Sequence, residues 1–364
     1  VIASRFHLAA AVLACLLLAA PQITAAVYVV NSTEDRPDAD SLDGQCSAPV
    51  TGACTLRAAI MEANAVAGAD TIVLPAGVYL LTRVAVDDTA SGGDLDIREA
   101  VTIHGAGADE TIVDGNGEVT SDRVVDVLQG ATAILSGITI RGGKLPGFGL
   151  ADRGGGIRAT SATLTLERVR RGGLFLAAAE IMIKHSILIG NSAGVYGGGV
   201  YAESSTLQLA NTVLRENSAE RGGALAADLQ CRLDMSESLI EHNTAAATGG
   251  GLWLNSLVAA DVTRTEIISN TAANAAGVYT RSANGPRFTE CRLFDNQSSG
   301  SGGGIVTEGA LVWRQTLVDG NSAATNGGGV LIPEVTITGA FEILVENSTV
   351  TQTARNSAPE STAP

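Results

Sequence analysis

An asparagine recurs every 25 to 27 residues through the second half of the chain, at Asn191, Asn217, Asn243, Asn270, Asn296 and Asn321, each followed by Ser, Thr or Gln. A fixed period of this length describes one supersecondary unit stacked many times. The chain is therefore a solenoid before any local propensity is weighed. Three residues before each Asn stands an aliphatic residue (Leu188, Leu214, Ile240, Ile267, Leu293, Val318), and five before it a small one (Ser186, Thr212, Ser238, Thr265, Cys291, Thr316). Two columns two residues apart, flanking a variable position, describe a strand with an inward face. The aliphatic column packs, and the small column keeps the core narrow.

Glycine clusters fall between the asparagines, at Gly197-Gly198-Gly199, Gly222-Gly223, Gly249-Gly250-Gly251, Gly302-Gly303-Gly304 and Gly327-Gly328-Gly329, reduced to Gly277 in one repeat. Glycine tolerates the positive φ of a sharp corner. The alternation restarts after each cluster: Val200, Leu225, Leu252, Val278, Ile305 and Val330 form one column, and Ala202, Ala227, Leu254, Thr280, Thr307 and Ile332 another. Two or three short strands and tight corners in about 25 residues make one turn of a parallel β-helix, since no run in the repeats is long enough, or periodic enough at 3.6 residues, for a helical repeat. Stacking at the ~4.8 Å strand spacing turns each column into a ladder. The Asn column reads as structural, its buried amides bonding to one another and to corner backbone.

These repeats, such as Glu216-Asn217-Ser218-Ala219 leading to Gly222-Gly223-Ala224-Leu225, resemble those of polymorphic outer-membrane proteins. The chain also looks like bacterial right-handed β-helix proteins of the pectin-lyase-like superfamily. Cys46 through Asn64, with Gly52-Ala53-Cys54-Thr55-Leu56-Arg57-Ala58-Ala59-Ile60 and Glu62-Ala63-Asn64, resembles the CSLREA module that precedes such helices in secreted proteins. Thr55 replaces the Ser and Ala58 the Glu of that motif. The resemblance implies an all-β, right-handed parallel β-helix and no established reaction.

Residues 1–26 read as a secretory signal peptide, from Arg5, the apolar run Leu8 to Ala20 and Thr24-Ala25-Ala26. Residues 27–93 form the expected N-terminal cap, with a strand at Val27 to Asn31, an acidic turn through Glu34 to Asp43, a helix from about Thr55 to Ala67 and a strand at Thr71 to Leu74. The β-helix is expected over 94–356, regular over about 180–332, with a shortened or distorted turn from Arg170 to Ala179 and a polar tail at 357–364. Cys46 and Cys54, with seven residues between them, are placed to close a disulfide in an oxidising compartment, whereas Cys231 and Cys291 fall on different strands as buried free thiols.

A net charge of −15 with only two lysines, Lys144 and Lys184, weighs against nucleic acid and anionic membranes as partners. No transmembrane helix is expected outside the leader, and the protein is expected to be a monomer, secreted or at a bacterial cell surface. Catalytic and metal residues are not evident. Asp94, Asp96, Asp114, Asp122 and Asp126 are the densest acids but show no common register, and no cofactor is called for; Ca²⁺ is the one alternative, without support because the Gly clusters lack the pattern of a Ca²⁺-binding repeat. His104, His185 and His242 are isolated, and His242 reads as a corner residue.

One outward column carries Tyr201, Ala226, Trp253, Tyr279, Val306 and Leu331, beside a second with Glu203, Asp228, Asn255, Arg281 and Glu308. Both columns are expected to be exposed side by side on one face, where Tyr201, Trp253 and Tyr279 would stack against a polysaccharide, with Glu203 and Asp228 beside them. The bland alternative is a cross-strand aromatic ladder that stabilises the sheet. The favoured expectation is an adhesin-like or glycan-contacting scaffold, with a polysaccharide lyase or glycoside hydrolase, or a purely structural envelope or passenger module, as alternatives.

Overall fold

The period becomes a coil with four short strands per turn. In the computed structural model, which describes residues 25–84, 88–144, 156–170, 172–333, 343–351 and 354–355, one turn runs through Leu225–Asp228, Arg232–Ser236, Leu239–Glu241 and Thr244–Thr248. Each strand pairs in parallel with its equivalent in the next turn, as in Leu225↔Leu252, Arg232↔Ala259, Leu239↔Glu266 and Thr244↔Thr271. The result is a parallel β-helix walled by sheets of 12, 10, 7 and 6 strands, with a further three-stranded sheet in the early turns. Nearly all of the expected signal peptide, and the expected polar tail, lie outside the described residues.

The fourth strand was not apparent from alternation because its inward residues are merely small. Ala219, Ala245, Ala272, Ser298 and Ala323 are all buried two residues after the asparagines. Small side chains let this wall approach the core closely. The expected aliphatic columns also point inward, with Leu188, Leu214, Ile240, Ile267, Leu293 and Val318 buried. Ile332 is the exception: pairing of its strand stops at Leu331, which leaves it 52% exposed.

Glycine is not the general corner residue. His185, Asn211, Glu237, Arg264, Glu290 and Gln315 turn one corner at φ 43° to 55°, and Glu216, His242, Ser269 and Asp295 turn the next at 52° to 55°. A left-handed L-residue costs roughly 1–2 kcal/mol, and the residue after each of these corners offsets it by hydrogen bonding between turns. The small column does more than narrow the core: Thr212 N–H donates to Ser238 Oγ (3.2 Å), Ser238 N–H to Thr265 Oγ1 (3.4 Å), and Cys291 N–H to Thr316 Oγ1 (3.4 Å). Glycine clusters answer a different need. A Cβ on Gly250 would lie 2.5 Å from the carbonyl oxygens of both Ala276 and Thr271, so two backbone turns touch there.

The asparagines form a continuous amide ladder. The N–H and Nδ2 of Asn191, Asn217, Asn243, Asn270 and Asn296 donate to the Oδ1 of the next Asn at 2.8–3.0 Å, ending on Asn321. Each Nδ2 from Asn217 onward also donates to a carbonyl of the previous turn, as Asn243 does to Leu214 O at 2.9 Å. Asn217 to Asn321 are buried, while Asn191 at the ladder end is half-buried.

The turn starting at Thr163–Glu167 is shortened as its sequence suggests. Its third wall is a single bridge at Arg170, joined to Thr139 on one side and Ile187 on the other. At the N-terminal end the helix Leu56–Ala65, capped by Thr55 accepting from Ala58 N–H, packs on Ala69–Leu74, Leu95–Ile97 and Ala100–Gly105. Its apolar residues Leu56, Ala59, Ile60 and Ala63 join the solenoid core. Arg57 is buried on its other side, with Nε 2.5 Å from Asp35 Oδ1 and guanidinium hydrogen bonds to the carbonyls of Ala90, Gly93 and Asp94. Cys46 and Cys54 are disulfide-bonded, and Cys231 and Cys291 are buried free thiols.

Candidate functional site

Parallel register places one outward column along the ten-stranded sheet, in the order Asp96, Asp126, Arg158, Phe175, Tyr201, Ala226, Trp253, Tyr279, Val306 and Leu331. The aromatic members stack as the alternation suggests. Phe175 and Tyr201 have centroids 5.6 Å apart, and Trp253 and Tyr279 6.4 Å apart, with planes within 15° and 12° of parallel. Ala226 leaves a gap, and Tyr196 fills it, 5.2 Å from both Tyr201 and Trp253.

This corrects the expected exposure of the column. Tyr201 and Trp253 are only 4% and 6% exposed, and Tyr279 is half-buried. Ring faces that would meet a sugar are covered by neighbouring rings, because parallel register at the ~4.8 Å strand spacing leaves no room between them. The missed element is Tyr196, which lies in a corner outside any alternating pattern. Of the expected rim, Glu203 accepts the Tyr201 hydroxyl at 3.0 Å, and Asp228 accepts Asn255 Nδ2 at 3.1 Å.

The early acids also require correction, since Asp96 and Asp126 do share a register. Their strands lie off the 26-residue period, which hides the pairing in the sequence. Arg158 is ion-paired with Asp126, and Arg123 reaches Asp94 at 3.5 Å and Asp126 at 3.4 Å. Asp94, Asp96 and Asp126 are sealed, at 3%, 0% and 1% exposure, so a polymer does not reach them. Asp114 stands apart, paired with Arg141. His242 is a corner residue, at φ 54°.

Burial pushes Asp94 up to about 7, with the Asp122 charge adding, and Asp96 up to about 8, with Asp94 adding. An unfolded aspartate loses its proton near pH 4. The folded chain therefore binds more protons than the unfolded one between about pH 4 and 8, and the contribution of these groups to stability falls as pH rises through that window. Asp96→Asn is expected to flatten that decline. Urea midpoints of parent and variant at pH 5 and 8, in chelator, measure it; identical pH dependence would refute the assignment.

An open surface lies on the outer face of the twelve-stranded sheet. Met182, Gln208, Asp234 and Asp261 are successive register partners, with Lys184, Ala210, Ser236 and Thr263 two residues along each strand. They line a groove of about 350 Å³. Gln208 is exposed, and Met182, Lys184, Asp234 and Asp261 are half-buried. Strand alternation places this column in the variable outward positions, where one sequence offers no repeating signal. A larger cavity, of about 660 Å³, lies in the cap beside Asp35, Arg36 and Arg83, but Asp35 is engaged with Arg57 and Arg36 with Glu34.

No family model and no curated protein matches the chain. Among solved structures, the crystal structure of Dettilon tailspike protein (gp208) is similar at 15% identity and a TM-score of 0.33, over 84% of this chain and 68% of that one.

Proposed function

We propose that this protein is a secreted or cell-surface β-helix scaffold that contacts an extended glycan along the outer face of its twelve-stranded sheet. The groove over Met182, Lys184, Gln208, Asp234 and Asp261 carries the reading. Hydrogen-bonding groups recur there on successive turns, at a spacing of ~4.8 Å that suits the repeat of an extended sugar chain. The disulfide and the CSLREA-like and pectin-lyase-like resemblances support export. The net charge of −15 favours a neutral polysaccharide over an acidic one.

Asp234 and Asp261, side by side in register on the groove floor, support a second reading as a glycoside hydrolase, because such chemistry uses two carboxylates ~5–10 Å apart, with Arg232, bound to both oxygens of Asp234 at 2.9 Å, pairing with that one as the carboxylate. Affinity electrophoresis through neutral polysaccharides distinguishes the two. The scaffold reading expects retention, weakened about tenfold or ~1.4 kcal/mol by Gln208→Ala with Asp234→Ala, no change in melting, and no new reducing ends. Reducing ends that vanish in Asp234→Asn would establish the hydrolase instead. No retention on any glycan would leave the structural envelope or passenger module.

A further inference from the structure

Glu62 is the least compensated charge of the cap. It faces inward from the helix Leu56–Ala65 at 0% exposure, and neither carboxylate oxygen has a well-formed hydrogen bond, although the Gly44 N–H and the Asp38 carboxyl lie close beside it. Two further carboxylates, from Asp38 and Asp43, converge on it so that one oxygen from each of the three lies within 4.8 Å of the others. The basic residues nearest in sequence are committed elsewhere, Arg36 to Glu34 and Arg57 to Asp35. Burial pushes Glu62 up to about 7, and the Asp38 and Asp43 charges push it in the same direction.

The acid-bearing loop is already shaped. Asp38 accepts the N–H groups of Asp40 at 2.9 Å and Ser47 at 2.7 Å, and Asp43 accepts that of Gln45 at 2.8 Å. Gly44 turns the chain at φ 74°, and the Cys46–Cys54 disulfide joins the end of the loop to the residue before the helix cap. Ca²⁺ accepts irregular oxygen geometry at ~2.3–2.6 Å, whereas Mg²⁺ demands a near-ideal octahedron at ~2.0–2.1 Å and gives up its waters reluctantly, so three carboxylates from a loop and a helix suit Ca²⁺ better. All-oxygen donors also suit these hard cations over zinc.

We propose that Asp38, Asp43 and Glu62 bind one Ca²⁺, which ties the acidic loop to the cap helix. Asp43 is exposed and gives the ion its entry, while Glu62 anchors it from within. The site is independent of the glycan groove, so loss of either leaves the other testable.

The test is calorimetric titration of the chelator-treated full chain with CaCl₂, with melting curves in Ca²⁺ and in EDTA. The parent should bind Ca²⁺ and melt higher in its presence, with a much weaker response to Mg²⁺. Asp43→Asn should weaken that binding at least about tenfold, and Glu62→Gln should abolish it. Asp43 is at the surface, so its variant keeps the test valid if Glu62→Gln fails to fold. Binding elsewhere would be the same in parent and variants. Equal Ca²⁺ binding by parent and Asp43→Asn would overturn the proposal, as would a parent melt unmoved by Ca²⁺. A Glu62→Gln chain more stable than the parent in both Ca²⁺ and EDTA would overturn it too, by showing that Glu62 simply holds a proton.

Discussion

Replacing Asn243 with leucine is expected to lower the stability of the folded chain by about 2–5 kcal/mol, at ~1–3 kcal/mol for each buried polar group stranded. Asn243 Oδ1 accepts two hydrogen bonds, from the N–H and the Nδ2 of Asn217, and its own Nδ2 serves the carbonyls of Leu214 and Glu241. Leucine has a similar volume but supplies none of these, and the site is closed to water. The same change at Asn191 should cost only ~1 kcal/mol, because at that half-buried end of the ladder the two lost bonds, to Asn217 Oδ1 and from the Gly172 N–H, can be exchanged for water. Chemical denaturation of the two variants beside the parent checks the contrast. Equal losses at both sites would refute a cooperative ladder closed to solvent.

Arg57→Leu is expected to cost about 3–5 kcal/mol, the range for breaking a buried ion pair on one side. Asp35, 2% exposed at its side chain, would be left as an uncompensated charge, and the carbonyls of Ala90, Gly93 and Asp94 would lose their donor. The same Asp35 carboxylate accepts the N–H groups of Thr82 and Arg83, so the segment after Leu81 should loosen together with the helix. Limited proteolysis of the variant should therefore cut between residues 82 and 94 before it cuts the regular turns. A variant with the parent's melting point and digestion pattern would show that the cap is held by apolar packing alone.

These two positions differ in how far they could be read in advance. Asn243 belongs to a column repeated six times, and repetition at fixed spacing is visible without knowing where the chain goes. Arg57 occurs once; its neighbours in the resembling motif mark it, but its partner Asp35 and the three carbonyls come from separate segments. The aromatic column lies between these cases. Alternation placed Tyr201, Trp253 and Tyr279 on one outward face, yet Tyr196, from a corner with no pattern, closes the gap over Ala226 and turns a candidate sugar platform into a small outer core. The early acids show the opposite error: Asp96 and Asp126 looked unrelated because the strands that bear them are off the repeat.

From the sequence alone, then, came the period, the inward columns, the asparagine ladder, the cap helix and the pairing of Cys46 with Cys54, because each follows from local spacing or from recurrence. Only the tertiary structure decided which outward residues meet solvent, that the Asp94, Asp96 and Asp126 carboxylates are sealed, that Asp234 and Asp261 share a groove, and that Glu62 faces Asp38 and Asp43. Burial and the approach of charges from distant segments depend on the stacking of whole turns and on the corners between them. Residue order along one strand carries no record of either.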